Sequence, residues 1–217
     1  MSLVAISPRE RDLTCPIEFM RLTLTYDGPL HSATNNDPRT TEKNYIRRKL
    51  HPQLHDVWLT HSAVEEWLQH WQSYTEEERY TEHGNREMLA HRMGSYGFIP
   101  LVASRHHMIC ELDILFLRRE QPGALVHGGD IDNRLKVLFD ALRMPTQTGE
   151  LAGLKADEPC PFFTLLQDDR LITDLHLRTS QLHEPVASGD SPSNVRLVID
   201  VTIRITRVTY ANIGLGG

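Results

Sequence analysis

The feature of the sequence that most constrains its fold is a run near the carboxyl end in which every second residue is apolar. The alternating residues in this run are Val195, Leu197, Ile199, Val201, Ile203 and Ile205. A repeat of two places these side chains on one face of a β-strand. A second run, from His107 to Leu117, is partly apolar on both faces and predicts a central strand. The chain is therefore expected to build a sheet whose inner face lies against a core.

Shorter patterns predict the remaining elements. Residues 17–26 alternate and predict a first strand that ends at Asp27-Gly28-Pro29. Helical patterns follow from residue 40 to about 58, with an interruption expected at Pro52, and from 63 to 74. The resulting order is strand, helices, strand, helix, strand, strand, with a short strand expected between residues 165 and 171. It favours an α+β fold with a mixed sheet and helices on one side. We expect one domain over residues 1–217, with 1–17 as a loose tail.

Composition excludes several classes of protein. The 217 residues carry a net charge of −6, so any contact with nucleic acid must come from a local basic patch. Three cysteines without CxxC spacing predict free thiols in a reducing compartment rather than a zinc site. No segment has the pattern of a signal peptide or the length of a membrane span. These observations predict a soluble cytoplasmic protein.

Two acidic clusters stand beside apolar runs and carry most of the functional information. The first, Asp130-Ile131-Asp132-Asn133, follows two glycines and opens an amphipathic helix, and the second is Asp168-Asp169. The apolar face of that helix is formed by Ile131, Leu135, Leu138 and Leu142. Several carboxylates held close together favour a bound divalent cation, and Mg²⁺ bound by carboxylates usually faces a phosphate.

Each cluster has a purely structural interpretation as well. Asp130 suits an N-cap, and Asp132 would complement the helix dipole in the first turn. Asp168-Asp169-Arg170 could simply form a turn between two strands. The combination with the preceding glycines, and with Lys136 one helical turn after Asp132, favours a metal site. Asp140, a further turn along, is interpreted as a surface partner of Lys136.

Taken together, these motifs resemble the RusA-like Holliday-junction resolvases. The matching segments are Asp130-Ile131-Asp132-Asn133, Leu135-Lys136, Phe139-Asp140-Ala141-Leu142 and Asp168-Asp169-Arg170-Leu171-Ile172, with a weaker similarity at Gly28-Pro29, Ser32 and Asn35-Asn36. The resemblance covers the second half of the chain in detail and the first half in outline. Relative to the family, residues 40–95 form an enlarged helical insertion after the first strand, and the segment 144–167 is longer.

The resemblance implies an endonuclease that uses Mg²⁺ or Mn²⁺ and cleaves branched or structured DNA as a homodimer. Asp130, Asp132 and Asp169 would bind the metal, and Lys136 would contact the scissile phosphate or orient the nucleophile. Asp168 is either a further ligand or a turn residue. Two alternatives stay open. One is a non-catalytic DNA-binding or accessory protein of the same fold, and the other is a nuclease for RNA or flap substrates.

Several cations are candidates for contacts with nucleic acid. Arg47, Arg48 and Lys49 form the densest basic stretch, on the helix predicted from residue 40. Arg118 and Arg119 end the predicted central strand, and Arg134 lies on the acidic helix. The alternative for the first three is an ordinary solvated helix face.

Overall fold

The computed structural model describes residues 12–33, 39–81, 90–119, 130–155, 157–184, 193–209 and 212, with the backbone alone at 12–15 and at 130. In chain order the helices and strands are β1 Asp12–Pro29, α1 Thr40–Thr60, α2 Ser62–Ser73, β2 His91–Met93, β3 Tyr96–Val102, β4 Met108–Arg118, α3 Asp130–Leu142, β5 Phe162–Leu166, β6 Ile172–Gln181 and β7 Asn194–Arg207. Short 3₁₀ turns lie at Glu78–Tyr80, Ser104–His106, Thr148–Leu151 and Asp169–Leu171. The α+β class predicted from the sequence is confirmed.

The larger sheet has four strands in the order β1-β7-β4-β6. Strand β7 is antiparallel to both of its neighbours, and β6 is parallel to β4. One face of this sheet is buried, since Leu24, Ile114 and Ile199 have no solvent-exposed surface. The strict alternation in β7 and the central position of β4 are as predicted. Their inner side chains form the main part of the core.

The structure also contains a second sheet of three strands, in the order β2-β3-β5. The single mixed sheet expected from the sequence is therefore wrong, because the strands divide between two sheets. Strand β2 is antiparallel to β3, whereas β3 and β5 are parallel. The apolar stretch 98–118 supplies strands to both sheets because the chain turns between them at Ser104–His106. His107, with φ of 53°, takes the left-handed conformation that ends this turn.

Helix α1 runs without interruption through Pro52, so the break expected there is wrong. Proline removes one backbone hydrogen bond from a helix interior. Here Leu50 and Leu54, on either side of Pro52, are both buried in the core, and this packing holds the helix together. Helix α2, Ser62–Ser73, lies within one residue of the predicted range 63–74 at both ends. Helix α1 lies against α3, β1 and β5 and therefore connects both sheets to the acidic helix.

One strand is longer than predicted and another was not predicted. Strand β1 begins at Asp12, so the second part of the predicted tail is strand. Strand β6 was not recognised in the sequence, because it lies at an edge of its sheet and most of its side chains are exposed.

Among the described helices, none combines the length and the apolar character that crossing a membrane would require.

Candidate metal centre

Helix α3 carries the first acidic cluster and is fixed to the core by the predicted apolar face. Leu138 and Leu142 are fully or almost fully buried, Leu135 is 9% exposed, and Ile131 packs against the same cluster. Val137 and Ala141 widen this face. Because one side of the helix is held in this way, the opposite side has a fixed orientation toward solvent.

The predicted ligand Asp132 and the predicted phosphate contact Lys136 are both exposed on that opposite side. They are one helical turn apart, so their side chains share a face of the helix. Asp130 is the first residue of α3, as predicted, but its side chain lies outside the described part of the structure. The acid and the lysine are therefore both accessible to a ligand from solvent.

The second acidic pair follows β5 and has two different roles. Asp168 is the N-cap of the 3₁₀ turn Asp169–Leu171 and accepts a hydrogen bond of 2.9 Å from the backbone N–H of Arg170. The Arg170 guanidinium also donates to both Asp168 oxygens, at 3.1 Å each. These hydrogen bonds, the side-chain ones first, hold the pKa of Asp168 below its ordinary value. Asp169 is exposed. The structure thus makes Asp168 the turn residue and presents Asp169 to solvent.

The two acidic clusters lie in the same region of the molecule, because α3 packs against the turn Asp169–Leu171. At the other end of the helix, the Met144 N–H donates to the Leu166 carbonyl at 2.8 Å, which ties α3 to the end of β5. Within the described residues, no three His, Cys, Asp or Glu side chains are grouped so that they could share a metal ion. That set lacks the side chain of Asp130, one of the three predicted ligands. The described part of the site consists of two exposed carboxylates, Asp132 and Asp169, on adjacent elements, and carboxylate oxygens are ligands that Mg²⁺ accepts.

Asp140 does not pair with Lys136, contrary to the interpretation from the sequence. Its carboxylate instead binds the Lys43 ammonium at 2.6 Å and the Arg143 guanidinium at 2.8 Å, in a largely buried contact between α1 and α3. Burial alone would raise the pKa of Asp140, but the hydrogen bonds and charges of Lys43 and Arg143 outweigh it and lower the pKa. This carboxylate is therefore ionised and joins the two helices.

Arg47, predicted to contact nucleic acid, is instead buried at the carboxyl end of α3. Only 2% of it is exposed, and its guanidinium donates to the backbone carbonyls of Asp140 and Arg143. Burial lowers the pKa of Arg47 to about 10, although the nearby Glu150 acts in the opposite direction. A cation at this position satisfies carbonyls that a helix end leaves free and complements the helix dipole. Arg47 is thus unavailable to a phosphate on this fold.

Four of the other predicted nucleic-acid contacts are also engaged within the chain. Arg48 donates to Glu158 at 2.6 Å and to the Gly153 carbonyl at 2.7 Å, which fastens the long 144–167 segment to α1. Arg118 and Arg134 are buried, and Arg119 donates to the Glu184 carbonyl at 2.9 Å. Lys49 is exposed and lies 5.6 Å from the centre of the Tyr45 ring. Among the six predicted cations, Lys49 is the one whose side chain is mainly exposed.

One exposed cation near the acids was missed in the sequence. Arg105 lies in the turn after β3, which is held to the chain after β5 by two hydrogen bonds of 3.0 Å from Ser104 to the Gln167 side chain. The Gln167 N–H donates in turn to the Val102 carbonyl at 2.9 Å. Because β3 and β5 are parallel, both turns follow the carboxyl ends of their strands on the same side of the sheet. Ligands of α/β proteins commonly bind at the carboxyl ends of parallel strands. No sequence pattern marked these two distant segments as neighbours.

Comparisons of this chain with family models, with curated proteins and with solved structures give no match. The similarity to the RusA-like resolvases therefore rests on the acidic motifs described above.

Proposed function

We propose that this protein is a Mg²⁺- or Mn²⁺-dependent endonuclease that hydrolyses phosphodiester bonds in branched or structured DNA in the cytoplasm. The observation that carries the proposal is the packing of α3, which begins with Asp130 and Asp132, against the turn that carries Asp169. The clusters are separated by 34 intervening residues in the sequence, and an acid-rich contact of this kind is what a divalent cation would stabilise. The family resemblance supplies the reaction and the DNA substrate.

Asp132 and Asp169, together with Asp130, would hold the metal. When bound, the metal would supply a water of lowered pKa and would neutralise charge that develops on the phosphate. Lys136 shares its helix face with Asp132 and would bind a non-bridging oxygen of the scissile phosphate. Asp168 would keep the turn in shape through Arg170 rather than act as a ligand, since both of its oxygens accept from that guanidinium.

Contacts with the rest of the DNA would come from a small set of exposed cations. Arg105 and Arg170 belong to the two turns that follow the carboxyl ends of β3 and β5, and Lys136 belongs to α3. Together they would supply local positive charge beside the carboxylates in a protein whose net charge is negative. Phosphate contacts of this kind position a substrate without reading its sequence.

A cleavage assay on four-way DNA junctions tests the proposal. The purified chain, Asp132→Asn and Asp169→Asn are incubated with labelled junctions, with and without Mg²⁺ or Mn²⁺. We expect cleavage by the wild type with metal, and loss of cleavage in both variants with binding of the junction retained. Asp56→Asn, which alters an exposed acid on α1 far along the chain from either cluster, serves as the matched control and should cleave normally.

The substrate panel separates the competing functions. Flaps, duplexes and single-stranded RNA are tested beside the junctions. Preference for RNA or flaps would replace the branched-DNA assignment and keep the metal site. Binding without cleavage of any substrate would favour the accessory protein, and undiminished cleavage by Asp132→Asn would remove the catalytic assignment.

A further inference from the structure

Within the described residues, strand β6 is an outermost strand of the larger sheet. On one side it pairs with β4, and no strand of the described residues pairs with its other side. Residues Asp174 to His176 are exposed, and Leu175, a large apolar residue, has 40% of its surface in solvent. An exposed edge strand of this length is a template for pairing with another strand.

The backbone direction of this edge follows from one hydrogen bond. The Leu182 N–H donates to the Arg118 carbonyl at 2.7 Å, and Arg118 stands opposite Gln181 in the parallel ladder. Since successive residues of a strand point their N–H and C=O groups to opposite sides, the even-numbered residues of β6 bond to β4. Leu175, Leu177 and Thr179 therefore direct their N–H and C=O groups to the open side.

The side chains of β6 are complementary to a second copy of the same strand. Asp174 and Arg178 lie on the outer face with His176 midway between them, and both His176 and Arg178 contact Asp113 of β4. If two copies pair antiparallel with His176 opposite His176, each Asp174 faces Arg178 of the other copy. Centring the pair on Leu177 instead would place Asp174 opposite Ser180 and Arg178 opposite His176, so Asp174 would no longer face a cation.

The same register also pairs the apolar side chains of the inner face and the backbone hydrogen-bonding groups of the two copies. Leu175 of one copy stands opposite Leu177 of the other, and both are residues whose backbone groups point to the open side. They would form a hydrogen-bonded pair, with the two His176 residues as the intervening pair that lacks hydrogen bonds. Leu177 already packs against the core, so this apolar pair would extend it.

We infer that β6 is the surface through which two copies of this chain associate, antiparallel and centred on His176. The contact is isologous, with the same patch used by both copies. It joins the two four-stranded sheets into one continuous sheet. The inference depends on the edge of the sheet alone and stands whether or not the chain is a nuclease.

Charge reversal with rescue in trans tests the register. Asp174→Arg and Arg178→Asp each place like charges opposite each other at both ends of the contact, and sedimentation equilibrium should show a dimer dissociation constant raised on the order of tenfold. In an equimolar mixture of the two variants, opposite charges face each other again at both ends, so the mixed dimer should form with nearly wild-type affinity. Glu66→Arg on α2 is the control and should leave the dimer unchanged.

A cross-linking experiment gives an independent readout. Directly opposed residues without hydrogen bonds have close Cβ atoms, so His176→Cys should form a covalent dimer under mild oxidation. Ser180→Cys, on the same face but distant from its counterpart, and the wild-type chain with its own thiols should not. A wild type that is monomeric at sub-millimolar concentration would overturn the inference. So would a dimer that neither charge reversal weakens, because its contact would lie elsewhere.

Discussion

Asp140 binds Lys43, which lies 97 positions earlier in the sequence, at 2.6 Å and thereby joins the acidic helix α3 to helix α1. Arg143 shares the same carboxylate, and Arg47 caps the adjacent helix end. Arg47, which the sequence suggested for substrate binding, thus belongs to a network that holds together the two helices beneath the candidate site. This network can be tested separately from any activity.

Removing the charge of Asp140 should destabilise the fold. Asp140→Asn leaves Lys43 and Arg143 without their shared counter-ion in a largely buried contact, which we expect to cost about 3 kcal/mol of unfolding free energy. Urea denaturation measures this loss. Glu18→Gln, which removes an exposed ion pair with Arg21, is the control and should change stability by less than about 1 kcal/mol. Equal effects of the two substitutions would contradict the role given to the buried network.

The same carboxylate should make stability fall in strong acid. The pKa of Asp140 is lowered in the folded state, so its contribution is fully present above the ordinary value of 3.8 and is lost as pH falls through the lower folded value. Wild type and Asp140→Asn should therefore converge in stability below pH 3.8. Denaturation curves at neutral and acidic pH measure the difference, and a constant gap between the two proteins would be the contrary result.

His51 should produce a separate loss of stability at milder pH. Its ring lies beside Phe163 and accepts a hydrogen bond of 3.0 Å from the Phe163 N–H, which requires a neutral Nδ1. Burial, and next the neighbouring His55, lowers the pKa of His51 to about 4 from 6.5. The unfolded chain therefore binds a proton first, and stability should decline as pH falls from 6.5 to 4. Thermal unfolding of His51→Gln across this range should show a weaker decline, and an identical slope would refute the assignment.

Divalent metal should stabilise the wild type through the acidic site. Binding to the folded state alone adds about 1.4 kcal/mol at a metal concentration ten times the dissociation constant, which raises Tm by about 4 °C for a chain of this size. Thermal shift with Mg²⁺ and Mn²⁺ should show this increase for wild type and Asp56→Asn. It should be absent from Asp132→Asn. An equal shift in that variant would place the metal elsewhere.

Asp168 and Asp169 should respond differently to the same substitution. Asp169→Asn removes a proposed ligand and should abolish both the metal-induced shift and cleavage. Asp168→Asn keeps a favoured capping side chain and loses an exposed ion pair, so stability should change by less than about 1 kcal/mol. The metal-induced shift should persist in that variant. A reversal of the two outcomes would make Asp168 the ligand.

The sequence predicted best the elements whose side chains lie against the core. The alternation in β7 and the apolar face of α3 are enforced by burial, and both appear in the structure where they were expected. Strand β6 lacked such a signal because its residues are mostly exposed. The helix break at Pro52 was wrong because tertiary packing of Leu50 and Leu54 outweighs the lost hydrogen bond.

The charged residues were harder to interpret, for a physical reason. A cation on a helix looks the same in sequence whether it faces solvent or a carboxylate far along the chain. Arg47 and Arg48 hydrogen-bond to groups in the segment 140–158, and no local spacing in the sequence predicts those contacts. Asp132 and Lys136 share an exposed face of α3, as their spacing of four residues allows, whereas Asp140 at the same spacing is covered by Lys43 and Arg143.

The parallel pairing of β3 with β5 brings Arg105 and Asp169 to the same end of the smaller sheet, although they belong to separate stretches of the chain. The turn with Asp169, which would take part in the chemistry, and the turn Ser104–His106, which would contact the rest of the substrate, thus come from separate parts of the sequence. Altered preference for one nucleic-acid shape over another could evolve, or be engineered, at Ser104–His106 while the acids stay as they are.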